Sequence, residues 1–199
     1  MKRTPLTHEE IFSDENFARR YAKNHQRMSQ KLGETYARKL KAGGFQKGRI
    51  VDVGCGAGAT AIVLAQKFVD CEVIGIDLSE PLLKIAREAV QAEKLGDRVK
   101  FEKADVQAIP YEDNRFDVVI NLNMVHLVAD PVKMLNEMER ILKPDGMLFI
   151  ADLKRSWLAI IEKEIKASLT LPEAKALFKQ SNLRSGVFSG GLLWWRFEG

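Results

Sequence analysis

The chain has 199 residues and only two cysteines, Cys55 and Cys71. A disulfide framework is excluded, and so sparing a use of thiols suits a reducing compartment. Neither cysteine has a second cysteine or a histidine at metal-ligand spacing, so no metal site is expected. No internal repeat or low-complexity tract is present. No apolar run approaches the ~20 residues that a membrane helix needs. The longest candidate, Val118 to Ala129, is broken by Asn121, Asn123 and His126. The opening stretch, MKRTPLTHEE, lacks the apolar core of a secretion signal. A Gly-x-Ser-x-Gly nucleophile elbow is also missing, which removes the usual route to serine acyl transfer. These absences lead us to expect a soluble, cytoplasmic protein with no membrane span.

What is present reads as one globular domain. A chain of this length buries roughly 70% of its unfolded surface and folds without a metal or a crosslink. Net charge is +4, unevenly placed. Residues 1–49 hold 12 lysines and arginines against 5 acidic residues. That basic segment either faces an acidic partner or forms the solvated side of an amphipathic helix.

The helix is legible. Phe17, Tyr21, Met28, Leu32, Tyr36 and Leu40 recur at helical spacing, while Arg20, Lys23, Arg27 and Lys31 fill the other side. Thr7 with Glu10 forms a capping-box pattern, Asp14 is a second helix start, and Gly43-Gly44 is a stop. Residues 14–42 are expected to form a helical arm. Short β-branched runs then alternate with helices. Strands are predicted at 49–53, 71–76, 99–103, 116–121 and 147–152. Helices are predicted at 59–68, from Ser79 to about Lys94, and from Pro131. The Lys143-Pro144-Asp145-Gly146 turn leads into the fifth strand. A last helix near 172–181 precedes strands at 185–188 and 192–197, joined through Ser189-Gly190-Gly191. The expected fold is α/β: a doubly wound, mostly parallel sheet with a C-terminal antiparallel hairpin. Its parts are an arm (1–47), a core (48–153) and a C-terminal helix and hairpin (154–199).

Ligands in such sheets bind outside the carboxyl ends of the strands, near the switch in strand order. Three such places hold unusual residues. Asp52-Val53-Gly54-Cys55-Gly56-Ala57-Gly58 puts three glycines at alternate positions between a strand and a helix, allowing close backbone approach. Asp52 there would repel a pyrophosphate and favour a cation. Asp77 ends the second strand, where a carboxylate can accept both hydroxyls of a ribose, and Leu78 offers apolar cover for a base. Asp105, with Val106 beside it, ends the third strand and can accept from an exocyclic amine.

Together these residues resemble the class I S-adenosylmethionine-dependent methyltransferases, over roughly residues 48–153, and most closely the type 11 branch that mostly serves small acceptors. The resemblance implies S-adenosyl-L-methionine as cofactor and S-adenosyl-L-homocysteine as product. It places the cofactor on Asp52, Gly54, Cys55, Gly56, Asp77, Leu78, Asp105 and Val106. Asn121-Leu122-Asn123-Met124-Val125-His126-Leu127 resembles the family's fourth-strand segment, with backbone near Asn121 against the methionine part. Tyr21 is similar to an N-terminal tyrosine that closes over the cofactor in some members, although it also lies on the arm's apolar stripe. The terminal hairpin agrees with the reversed last strand of that fold. An Asn/Asp-Pro-Pro-Tyr motif is absent after strand four, which argues against adenine and glutamine amino groups as acceptors.

Candidate bases are few: His126 after strand four and Asp152 at the end of strand five, with His8 and His25 in the arm. Trp157 is a candidate wall of the acceptor pocket. The expected partner is a small-molecule acceptor rather than nucleic acid; the oligomeric state is not encoded. Three alternatives stand beside methyl transfer. One is a binding protein of this fold without turnover. Another is an RNA-directed enzyme using the basic arm. The third is a nicotinamide-dependent reductase, which lacks support because no Tyr-x-x-x-Lys pair exists.

Overall fold

The computed structural model describes residues 13–156 and 163–199. Thr7, His8, Glu10 and Trp157 therefore lie outside the described residues. The chain begins with the arm helix α1 (Glu15–Ala42), started by the Asp14 carboxylate, which accepts the Asn16 and Phe17 amides at 2.8 and 3.0 Å. There follow β1 (Gly48–Val53), α2 (Ala59–Lys67), β2 (Cys71–Asp77), α3 (Glu80–Ala92), β3 (Val99–Lys103), β4 (Phe116–Leu122) and α4 (Pro131–Ile141). The last part comprises β5 (Leu142–Leu153), α5 (Lys163–Ala167), α6 (Leu171–Phe178), β6 (Val187–Gly190) and β7 (Trp194–Glu198).

The seven strands form one sheet in the order β3-β2-β1-β4-β5-β7-β6. The first five are parallel, and β7 runs antiparallel to both β5 and β6. Alternation along each strand sends side chains to two cores, one on each face. On β4, Val118 and Ile120 join Tyr36, Leu40, Leu64 and Leu83 of the α1–α3 layer. Val119, between them, joins Leu135, Met138, Phe178 and Trp195 on the other face. Trp194, next to Trp195, packs only partly, on the opposite side. No helix among the described residues is long and apolar enough to cross a membrane.

Four details differ from the sequence expectations. The fifth strand starts at Leu142, because Lys143–Gly146 bulges out between two stretches of one ladder: Phe116 pairs with Leu142 and Val118 with Met147. The Lys143 ammonium reaches Asp117 at 2.6 Å, which holds that bulge against β4. Helix α3 stops at Ala92, and Lys94 takes a left-handed φ of 56° two residues later. The hairpin strands begin two residues late, at Val187 and Trp194, with the Gly191 amide donating to the Trp194 carbonyl at 2.8 Å. The short α5 had no sequence signal.

Candidate functional site

The sheet order reverses between β1 and β4, and a cavity of about 750 Å³ opens beside the carboxyl ends of β1, β2 and β4. That is within the ordinary range for small-molecule sites, ~300–1,000 Å³. Its floor is the turn after β1. Gly54 and Gly56 both take left-handed φ values, 77° and 53°. They need glycine for different reasons. A Cβ on Gly54 would stand 1.9 Å from the Met124 sulfur, whereas one on Gly56 meets nothing nearer than Leu82 Cδ1 at 4.0 Å. Gly54 is thus packed beneath Met124, and Gly56 presents bare backbone to open space where a ligand can lie against it.

Two carboxylates stand beside this turn. Asp52 is 2% exposed, and its Oδ2 has no hydrogen-bond partner among the described residues. Burial, together with the neighbouring Asp77 charge, pushes its carboxyl up to about 7, against a smaller opposing pull from the Ala61 amide. Asp77 accepts the Gly56 amide at 2.8 Å on one oxygen and the Ser79 amide at 2.9 Å on the other. Burial raises its carboxyl despite those bonds. The Leu78 amide also bonds this carboxylate, and Asp77 lines the cavity. The exposed Asp105 accepts the Gln107 amide at 2.8 Å and lies with Val106 and Leu78 on the same wall. Cys55 lines the cavity too, but burial drives its thiol well above the usual range and its Sγ leans on the Gly56 carbonyl. It contributes shape and backbone, not a nucleophile.

The segment after β4 behaves differently. Asn121 is fully buried and does not line the cavity; its Nδ2 donates to the Val53 carbonyl at 2.8 Å, tying β4 to the end of β1. Asn123 lines it instead, with φ at 60° and a buried Oδ1 that has no partner among the described residues. His126 and Asp152 are brought together, as their strand-end positions suggested, yet neither reaches the cavity wall. Asp152 accepts His126 Nδ1 at 2.7 Å and the His126 amide at 2.8 Å, both buried, and the part-buried Leu153 amide at 2.8 Å. In that geometry the pair ties the loop after β4 to the end of β5.

The roof is α1. Tyr21, His25, Met28 and Ser29 all line the cavity. The Tyr21 ring stacks on His25 at 4.0 Å between centroids. Ala18 and Leu82 are buried together beneath Phe17 and Tyr21.

A family model described as a methyltransferase domain matches residues 45–187. The chain belongs to this methyltransferase family. Methyltransferase GfsG of Streptomyces halstedii is 35% identical over 147 residues, covering 72% of this chain and 52% of that protein. The ubiquinone biosynthesis O-methyltransferase of Dinoroseobacter shibae is 33% identical over 130 residues, 65% of this chain and 51% of that one. The chain thus spans about half the length of these two relatives. A solved S-adenosylmethionine-dependent methyltransferase from Aquifex aeolicus matches with a TM-score of 0.71 and 25% identity, over 81% of this chain and 86% of that one. The fold is the class I methyltransferase fold.

The methyltransferase cavity gathers Tyr21, Asp52, Gly54, Cys55, Gly56, Asp77, Leu78, Asp105 and Val106, and leaves out Asn121, His126 and Asp152. Sequence reasoning gave too little weight to Asn123, Met124 and His25. Asn123 has a signal in hindsight: asparagine is enriched at left-handed positions, and it directly follows a strand. Among the described residues no cluster of histidine, cysteine and carboxylate side chains is placed to hold a metal.

Proposed function

We propose that this methyltransferase binds S-adenosylmethionine in the cavity and transfers its methyl group to a small-molecule acceptor. The observation that carries the reading is Asp52, a buried carboxylate that lines the cavity and has one oxygen without a partner among the described residues. A buried charge with no partner is costly, and a cationic ligand offsets that cost. Fit to the cofactor follows from the same residues. Asp52 and the Gly54–Gly56 turn face the positively charged methionine part, Asp77 takes the ribose hydroxyls, and Asp105, Val106 and Leu78 border the adenine.

When bound, the cofactor supplies an electrophilic methyl group on a sulfonium with a neutral thioether as leaving group. The protein's own task is alignment, which can contribute ~7–11 kcal/mol. Tyr21 and the rest of the α1 roof cover the site and keep water from it. Asn123, at a left-handed φ of 60°, lines the cavity and is tied to β5 by its backbone amide, which donates to the Ala151 carbonyl at 2.7 Å. Asp52 and Asp77 favour the cationic reactant, whose charge disperses as the methyl leaves, so they serve binding more than rate.

A small acceptor agrees with a cavity roofed by the arm. Two of the arm's basic side chains are paired with carboxylates of this chain: Arg19 with Glu88 at 3.3 Å and Lys39 with Glu198 at 2.6 Å. A cytoplasmic setting goes with this reading, since Cys55 and Cys71 are buried free thiols. The test is thermal unfolding with S-adenosylmethionine, S-adenosylhomocysteine and NADH in large excess. Ligand at 100 times its dissociation constant adds ~2.7 kcal/mol, a rise of roughly 5–10 °C at this size. A rise with both adenosyl compounds and none with NADH is expected, and Asp77→Ala should remove it. A rise with NADH alone sinks the reading.

A further inference from the structure

We propose that the outer face of α1 docks on an anionic lipid bilayer. The lysines and arginines of α1 fall into two sets. Arg19 and Lys39 stand at the sides of the helix, paired with Glu88 and Glu198. Arg20, Lys23, Arg27, Lys31, Arg38 and Lys41 are exposed, and none has an ion-pair partner among the described residues. Arg20 leans over the Phe17 ring at 5.9 Å and Arg38 reaches the Thr35 hydroxyl at 3.4 Å, contacts that leave both charges uncompensated.

Helical geometry aligns this second set. Arg27, Lys31 and Arg38 follow Arg20 by close to two, three and five whole turns, so the four share one line along the helix. That line lies opposite Ala18, Gly33, Tyr36 and Leu40, the buried side of α1. Lys23 and Lys41, also five turns apart, form a second line on its flank. The row runs ~32 Å from Arg20 to Lys41. Glu34 is the one acidic residue of α1 after Glu15, and Glu15 is taken by Lys84 at 2.9 Å. The six charges exceed the chain's net charge of +4, so the remainder of the protein is net negative.

Such a row is unfavourable in isolation. Lys23 with Arg27, and Arg27 with Lys31, are like charges one turn apart, which weakens a helix unless an anionic surface lies against it. Charges set in a straight row on a convex helix all reach one plane, the shape of a bilayer surface. Each lysine or arginine near anionic lipid strengthens partitioning ~fivefold. Two observations favour lipid over nucleic acid. From Arg20 to Lys41 the outer face carries no aromatic ring on which a base could stack, since Tyr21, His25 and Tyr36 lie on the inner side. The cavity also reaches the flank of the row: Lys23, Gln26 and Gln30 are exposed lining residues, and Ile62, Ile85 and Ala89 line the same cavity from α2 and α3. An apolar wall beside a basic row suits contact with lipid.

The test uses the full chain and needs neither cofactor nor turnover. The protein should sediment with vesicles of equimolar phosphatidylcholine and phosphatidylserine, and stay in solution with phosphatidylcholine alone. Raising salt from ~0.1 to ~1 M, which shortens the screening length from ~10 to ~3 Å, should release it. Arg20→Gln/Arg27→Gln/Lys31→Gln alters three residues that do not line the cavity and keeps good helix formers. It should weaken partitioning ~100-fold, with the thermal midpoint no lower and the S-adenosylhomocysteine rise kept. Lys67→Gln/Lys166→Gln/Lys179→Gln removes as much charge from other exposed positions and should weaken partitioning by under ~threefold. Equal losses in the two triple variants, or no difference between the two vesicle types, overturns the docking surface. Capture by a random-sequence RNA duplex while phosphatidylserine vesicles leave the protein in solution also overturns it. A missing S-adenosylhomocysteine rise in the unaltered protein overturns the methyltransferase reading instead, and leaves the vesicle result standing.

Discussion

Asp52 and Asp152 occupy equivalent ends of two parallel strands and are equally hidden, at 2% and 0% exposure. Their chemistry is opposite. Asp152 accepts two backbone amides and an imidazole nitrogen. Asp52 lines the cavity and keeps one buried oxygen without a partner among the described residues. The β1 side of the sheet therefore leaves a carboxylate oxygen unpartnered among the described residues, and the β5 side uses the same residue type to close itself. Burial of a carboxylate says nothing about role until its partners are counted.

The largest effect that would break this contrast is at Asp152. Asp152→Ala leaves a buried amide and a buried imidazole without their acceptor, and should cost ~3–5 kcal/mol of stability. Chemical denaturation reads it, and a loss under ~1 kcal/mol would show that the clamp is dispensable.

Asp52→Asn should act in the reverse sense on the ligand-free protein. Because the folded state holds the Asp52 proton up to about 7, the ligand-free protein is favoured in acid and loses that advantage as pH rises from ~4 through ~7. At pH 8 the asparagine variant should be more stable than the parent, by at most ~4 kcal/mol, with a flatter pH dependence. Its affinity for S-adenosylmethionine should fall at least tenfold by calorimetry. Equal affinity would remove Asp52 from the site.

The glycine turn sharpens the same comparison at a smaller scale. Gly54→Ala drives a methyl into the Met124 sulfur at a left-handed φ and should destabilise the fold by ~2–3 kcal/mol. Gly56→Ala adds only the φ strain, ~1 kcal/mol, yet places a methyl in the cavity. Thermal unfolding with and without S-adenosylhomocysteine separates them: a stability loss for Gly54 and a binding loss for Gly56. Smallest of all is Arg19→Ala. Its ion pair with Glu88 is about half exposed on both sides, so stability should change by under ~0.5 kcal/mol.

Local chemistry was read well from sequence because it lies within short stretches. Asp14 and Ser79 start their helices as their residue types demand, and the strand–glycine–helix turn and Asp77 stand where the spacing put them. Contacts across many residues were not legible. His126 and Asp152 are 26 residues apart, and only packing of β4 beside β5 turns two candidate bases into a clamp. Asn121 came from the resemblance of the fourth-strand segment, which does not tell where the ladder ends and the chain turns left-handed at Asn123.

By itself, then, the sequence determined the order of strands and helices, the two-faced burial of the parallel strands, the glycine turn and the carboxylates that end β1 to β3. These follow from residue type and periodicity, which act over a few residues. Tertiary structure alone decided which of the buried carboxylates keeps an unpartnered oxygen, that Lys143–Gly146 bulges within a ladder, and that the arm brings His25 over the cavity. Each depends on which surfaces meet once the helices close over the sheet, because a partner distant in sequence is supplied only by packing.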